Sequence, residues 1–383
     1  MSDLNSNYFE IGPIRPPSEA HSLLIRATRN CPWNKCEFCS TYKGTKFEIR
    51  SVGEIKKDIL TARTIADGIK TMSVQPGQES TLKEMAAMVF NNPRYNTAVR
   101  SVALWLYFDA QSAFLQDANT IIMKTPDLVD VIDYLRETFP SLTRITSYGR
   151  SKTVAKKSLE ELKEIHKAGL SRMHIGLETG YNDLLNYIQK GATAGEHIEA
   201  GKKAKQAGIN LCEYIIPGIG GKHMSKAHVE ETARVINEIQ PDFVRLRSLH
   251  LREAMPLSQK LLKGDFEPLT EDEVVDEIGA FIERLDTRSQ IKSDHILNLL
   301  SEVEGKLPED KERILAVIHR YLSLPEKERL NFQMGRRAGY YEKLDDLQDA
   351  RKHEHIMEAL RRIEARNPSE VGETITNLKA GFI

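Results

Sequence analysis

The chain is 383 residues long, with 40% hydrophobic residues, 28% charged residues and a formal net charge of -1. This composition suits a globular protein of one large domain or two ordinary ones, and gives no global signal for nucleic acid or an anionic membrane. No apolar stretch approaches the roughly 20 residues that span a bilayer. The N-terminus has no signal-peptide pattern, and four cysteines do not suggest a disulfide framework, so a cytoplasmic, metal-binding protein is expected.

Residues 1–19 read as an N-terminal extension. A first strand is expected over Ser22–Thr28, directly before Cys31, Cys36 and Cys39. Val52–Ile69 and Leu82–Phe90 carry helical patterns, Val102–Tyr107 is a further apolar run, and Val74 suits a short strand as well as a helix end. These form an insertion before the second strand, Ser112–Asp117. Strands then recur about every 30 residues, the size of a βαβ unit. They are Thr143–Tyr148, Arg172–Leu177, Ile209–Ile216 and Phe243–Ser248. The gaps hold helical patterns over Pro126–Thr138, Ser158–Ala168, Ile198–Ala207 and Ala227–Ile239. The alternation predicts an α/β fold with six parallel strands and helices outside, over residues 20–255.

Met255-Pro256 breaks this pattern. Residues 256–383 read as a helical C-terminal region, with segments Glu271–Leu285, Asp294–Val303, Lys311–Leu322 and a long stretch to Arg366. No further strand is expected there. Asn331–Tyr341 stands out for its paired arginines Arg336 and Arg337, and Asn367–Ile383 reads as a loosely ordered tail.

Three thiolates within nine residues cannot pair off as disulfides without leaving one over, but they can converge on one metal centre. Structural zinc normally takes four protein ligands. The remaining cysteine, Cys212, lies in a predicted strand and reads as a small core residue, and no histidine follows closely behind Cys39. Three thiolates suit a [4Fe–4S] cluster with one iron open to a small molecule. Their place after the first strand is where ligands collect in parallel α/β folds.

Here the chain resembles the radical S-adenosylmethionine (radical SAM) superfamily. Phe38 and the Cys36/Cys39 pair match its cluster loop, while four residues separate Cys31 from Cys36 where the usual signature has three. Gly176-Leu177-Glu178-Thr179-Gly180 is similar to its Gly-Leu-Glu-Ser-Gly form, and Ile216–Gly221 looks like its Gly-Leu-Pro-Gly segment. The resemblance covers roughly residues 20–250 and implies a partial (β/α)6 barrel. It implies that Cys31, Cys36 and Cys39 ligate the cluster and that the methionine portion of S-adenosylmethionine takes the fourth iron. Gln116 and Asp117, in place of the usual Gly-Gly-Glu, would accept from its ammonium. Glu178 would face the ribose or the methionine portion, and backbone near Gly218 would pack on adenine.

Arg150 can bind a carboxylate or be a solvated charge at a helix start, and Lys190 can belong to a ligand-facing loop or to the surface. Arg245, Arg247 and His250 can line a substrate pocket or pair with acidic neighbours, and His174 reads as structural. The implied reaction is reductive cleavage to a 5′-deoxyadenosyl radical. Electrons come from a flavodoxin or ferredoxin, and hydrogen is taken from an unnamed substrate. The alternatives are a non-catalytic iron–sulfur sensor or cluster carrier, and a zinc-binding module.

Overall fold

A computed structural model describes residues 4–74, 81–367 and 370–381, in two units. The first comprises Met1–Lys35, Thr41–Gly176 and Glu199–Leu211; the second comprises Cys36–Ser40, Leu177–Ile198 and Cys212–Ile383.

In the first unit the strands are β1 (Leu23–Arg26), β2 (Thr28–Arg29), β3 (Glu48–Ile49), β4 (Ser112–Gln116), β5 (Arg144–Gly149) and β6 (Leu170–Glu178), whose last two residues belong to the second unit. β1, β4, β5 and β6 pair in that order, all parallel. Ala113, Phe114 and Leu115 of β4 are fully buried, as expected of a parallel strand covered on both faces. The helix Val52–Ser73 starts on a capping box between Ser51 and Glu54. It buries Ile55, Ile59, Ala62, Ile65, Ala66 and Ile69 on one stripe, against β1 and the helix Thr125–Thr138.

Val74 is the exposed cap of that helix, not part of a strand. Val102–Tyr107 proves to be the second half of a helix, Thr97–Tyr107, capped by the Asn96 side chain. Six apolar residues alone do not distinguish the two periods; the spacing of Ala98, Val99, Val102, Ala103 and Leu106 does.

The N-terminal segment is knitted into this unit. Buried Glu19 bonds Ser22 at 2.6 Å and Arg144 at 3.1 Å, and lies 3.6 Å from His174. Burial works against its charge, yet hydrogen bonding from His174 and the Arg144 charge leave its pKa below the ordinary value. His174 is buried among Phe114 and Tyr148, in accord with a structural role.

The second unit carries β7 (Asn210–Ile215), whose first two residues belong to the first unit, β8 (Phe243–Leu246), β9 (Gln290–Lys292) and β10 (Gly305–Lys306). β7, β8 and β9 are parallel and β10 runs antiparallel to β9. The fold is α/β: mainly parallel strands alternating with helices, followed by C-terminal helices. β9 and β10 correct the expectation of no strand beyond residue 255; three and two residues are too short to show a period.

Asp294–Val303 is irregular rather than helical, because the buried Asn298 side chain is spent on the β8 end. Its Oδ1 accepts from Ser248 N at 2.9 Å and its Nδ2 donates to Leu246 O at 2.8 Å. Within the tail, Glu370–Ala380 is a helix that buries Val371 and Ile375, not a loosely ordered segment. Asn331–Tyr341 is a packing motif. The Tyr341 ring stacks on Phe332 with centroids 6.0 Å apart, its hydroxyl donates to Asn331 at 2.7 Å, and a Cβ at Gly335 would lie 2.3 Å from that ring.

Candidate functional site

In the first unit, β1 leads through Ala27 and β2 into the cysteine loop, and β2 pairs antiparallel with β3 to close its base. Asn30 and Asn34 adopt left-handed backbone, φ 69° and 49°, which asparagine tolerates better than most residues. They bracket Cys31, whose sulfur accepts from Asn34 N at 3.4 Å.

Asp117 anchors this loop. Fully buried, it takes two bonds from Arg26, at 3.1 and 2.7 Å, one from Asn30 N at 3.1 Å, and one from the Tyr42 hydroxyl. Three of these bonds converge on Oδ2 and one on Oδ1, so Oδ2 is saturated and Oδ1 keeps a lone pair. Burial and the Asp117 charge push the Tyr42 hydroxyl pKa up. Gln116 is equally committed. It accepts from Gly12 N at 2.9 Å and donates to Gly12 O and Ile14 O at 3.1 and 2.8 Å. Arg26 also reaches Glu10 at 2.5 Å, and Glu10 accepts from Arg29 at 2.9 Å. The Arg150 guanidinium lies 5.3 Å from the centre of the Trp33 ring, in cation–π range, while its backbone N donates to Asn119 at 2.9 Å.

In the second unit, Cys36 and Cys39 share a turn with Cys39 N donating to Cys36 O at 3.4 Å. Glu37 pins this turn. Its N donates to Ile188 O at 2.9 Å, its O accepts from Leu257 N at 3.0 Å, and its carboxylate meets Gln189 and Lys260. Phe38 packs on a buried cluster that includes Ile188, Ile216 and Leu257.

Lys190 Nζ lies 5.7 Å from the Phe38 ring centre and donates to Glu178 at 2.7 Å. Both charged side chains are 12% exposed. Glu178 itself has φ 64°, a conformation unusual for a residue with a Cβ and typical of functional turns. Beside this pair is Glu213, fully buried, with neither carboxyl oxygen bonded among the described residues. Burial pushes its pKa well up, the Lys190 charge opposes that, and the Glu178 charge adds to it.

Gly218 has φ 84°, which suits glycine, and its N donates to Glu277 at 2.6 Å. Glu277 also accepts from the Ser225 hydroxyl and lies 3.8 Å from buried His228. Burial raises the Glu277 pKa to about 7, against the hydrogen bonds from Ser225 and Gly218, and lowers that of His228 to about 4. His228 Nδ1 and Thr179 Oγ1 are 2.8 Å apart, which ties the Glu178 turn to the same network.

The first unit thus brings Cys31, Gln116, Asp117 and Arg150 around one loop, and the second joins Phe38, Glu178 and Lys190. Sequence reasoning missed Arg26, Tyr42 and Glu10, and it missed Glu37, Glu213 and Glu277. A charged residue inside a strand, as at Arg26 and Glu213, was the available signal; Glu277 lies on an amphipathic helix and carried none.

The three loop cysteines form no disulfide and are partly exposed, whereas Cys212 is buried. Among the described residues no three His, Cys, Asp or Glu side chains are gathered as a metal site. The donor chemistry of three unbridged thiols nevertheless fits an iron–sulfur cluster.

A family model described as the radical SAM superfamily matches residues 25–236. The tRNA uridine(34) acetyltransferase of Methanocaldococcus jannaschii is 26% identical over 126 residues, 31% of this chain and 22% of that protein. The chain therefore spans about a fifth of that relative's length. Among solved structures, an Elp3 of Methanocaldococcus infernus lacking its N-terminus is similar with TM-score 0.41 and 17% identity, covering 55% of this chain and 54% of that one. The cobalamin-dependent S-adenosylmethionine radical enzyme OxsB is similar with TM-score 0.46 and 12% identity, covering 94% and 53%. No described helix is long and apolar enough to cross a membrane.

Proposed function

The chain belongs to the radical SAM superfamily, whose members are enzymes that use a [4Fe–4S] cluster and S-adenosylmethionine, and we propose that Cys31, Cys36 and Cys39 hold that cluster here. The observation that carries this reading is three partly exposed cysteines, none in a disulfide, in the loop after β1. When bound, the cluster supplies the electron that splits S-adenosylmethionine into methionine and a 5′-deoxyadenosyl radical, which takes hydrogen from the substrate.

The chain's own residues hold and shield these groups. Asp117 and Gln116 act through the chain. Asp117 fastens Asn30, next to Cys31, and Gln116 fastens the N-terminal segment. Asp117 Oδ1 and Gln116 Oε1 each accept one bond and keep a second lone pair for the ammonium of the cosubstrate. Glu37 and Phe38 seat the turn that carries Cys36 and Cys39, and the apolar cluster under Phe38 keeps water from it. Glu178, neutralised in place by Lys190, is poised to accept from hydroxyls or an ammonium of the cosubstrate. Gly218 offers bare backbone to the adenine, and Arg150 on Trp33 is placed to meet a carboxylate.

A flavodoxin or ferredoxin serves as reductant, in the cytoplasm. The tRNA named for the archaeal relative is not carried over, since the near-neutral charge balance supplies no RNA-binding signal.

Anaerobic reconstitution, iron and sulfide analysis, dithionite reduction and an assay for 5′-deoxyadenosine test the reading. Iron, sulfide and 5′-deoxyadenosine are expected from the parent protein, and loss of all three from Cys31→Ala. A Cys31→Ala protein that keeps its full iron and still cleaves S-adenosylmethionine would refute the ligand assignment.

A further inference from the structure

The C-terminal end of β8 carries a group of cations that the reading above leaves without a task. Arg245 is 5% exposed and pairs with Asp294, yet its Nε is buried with no acceptor among the described residues. Arg247 follows two residues on, exposed, with its backbone N bonded to Ile215 O at 3.0 Å. Four bonds stitch the segment Asp294–Asn298 to this strand end: Arg245 to Asp294, Ser248 N and Oγ to Asn298, and Asn298 to Leu246 O.

The same segment is held from its other side. Arg337 donates to Leu297 O at 2.9 Å and to Glu271 at 2.7 Å, and its Nε too is buried without an acceptor. Lys379, on the last helix, donates to that same Glu271 at 2.8 Å. Between these anchors sit His250 and His295, both partly buried. Burial holds the pKa of each below the ordinary imidazole value. For His250 the charges of Lys379, Arg252 and Arg337 push the same way against Glu271; for His295, at about 4, Arg247 does so against Asp294. Four cations and two carboxylates thus act on two neutral imidazoles.

Buried donors are almost always satisfied in folded proteins, so two orphaned guanidinium N–H groups beside surplus positive charge mark a missing acceptor. Strand C-terminal ends are where parallel α/β proteins bind ligands. We propose that Arg245, Arg247, His250 and His295, backed by Arg337 and Lys379, form an oxyanion site that grips a phosphate or carboxylate group of the substrate. The class of substrate rests on the radical SAM reading above; the anion site itself does not. Neutral imidazoles donate to such an anion without the desolvation cost of two more buried charges. The exposed Arg247 and Arg252 draw it in.

The test is calorimetric titration of the full chain with inorganic phosphate and, separately, with sodium acetate, at constant ionic strength set with chloride. Saturable binding of at least one anion is expected. Arg247→Gln should weaken it about tenfold, the loss of one charge-assisted hydrogen bond. Arg234→Gln removes an exposed cation from the helix Gly221–Ile239 and should leave binding unchanged. Tighter binding of phosphate assigns a phosphorylated substrate, and tighter binding of acetate a carboxylate. No saturable binding, or equal weakening by both variants, overturns the site. Formation of 5′-deoxyadenosine by the parent protein is measured in parallel. Cleavage without anion binding overturns the oxyanion site alone. Anion binding without cleavage supports the site and counts against the radical reading alone.

Discussion

Glu277→Gln isolates the one acid that joins the C-terminal helices to the Gly218 turn. Burial raises the Glu277 pKa from 4.5 to about 7. Between those values the folded chain keeps a proton that the unfolded chain has released. The unfolded state therefore binds fewer protons, and stability falls as pH rises through this window. Above about pH 7 both states are ionised and the loss is complete. The window is about 2.5 pH units wide, each worth about 1.4 kcal/mol, so the parent loses about 3–4 kcal/mol across it.

Glutamine cannot titrate, and its amide can still accept from Gly218 N and bond the Ser225 hydroxyl. His228 has the opposite shift: its pKa falls from 6.5 to about 4, so its contribution grows with pH between those values. The histidine is present in both proteins, and its shift comes from burial and not from the Glu277 charge, so it cancels in their difference. Urea unfolding of the cluster-free parent and variant, followed by far-ultraviolet circular dichroism from about pH 5 to about pH 8, gives that difference. The variant should gain about 2–3 kcal/mol on the parent over this range, most of it by about pH 7. A difference that stays flat with pH would mean that Glu277 ionises as an exposed glutamate does, and would refute its burial.

Asp117→Ala leaves the part-buried Arg26 without its bidentate partner and Asn30 N without an acceptor; a loss of about 3–5 kcal/mol is expected, with faster amide exchange across residues 28–35. Gly335→Ala drives a Cβ into the Tyr341 ring at 2.3 Å, so denaturant midpoints should drop by the equivalent of about 1–3 kcal/mol or more. Lys190→Met keeps an apolar stem near Phe38 but strands the Glu178 carboxylate beside Glu213, for a loss of about 3 kcal/mol at neutral pH in the same unfolding assay.

Much of the architecture was legible because it repeats. Each of the six predicted strands is present, Arg172–Leu177 inside Leu170–Glu178 and Ile209–Ile216 around Asn210–Ile215, since a parallel strand is a short apolar run between punctuated helices. β9 was not legible because three residues define no period. Asp294–Val303 misled because its apolar spacing suits a helix while Asn298 is drawn off by the β8 end. The tail Glu370–Ala380 is a helix because Val371 and Ile375, one turn apart, find a place to be buried.

For the site, local chemistry was readable and pairing was not. The number of thiols, their position after a strand, Phe38 and the Glu178 turn are properties of neighbouring residues, and the sequence alone determined them. That Asp117 is bonded by Arg26 and Tyr42, 91 and 75 positions away, was decided only by the tertiary structure. So were the raised pKa of Glu213 and the bond from Gly218 to Glu277, 59 residues further on. The physical reason is common to all three. A carboxylate's charge and free lone pairs depend on which donors and how much water surround it, and both are set by chain segments brought together through space.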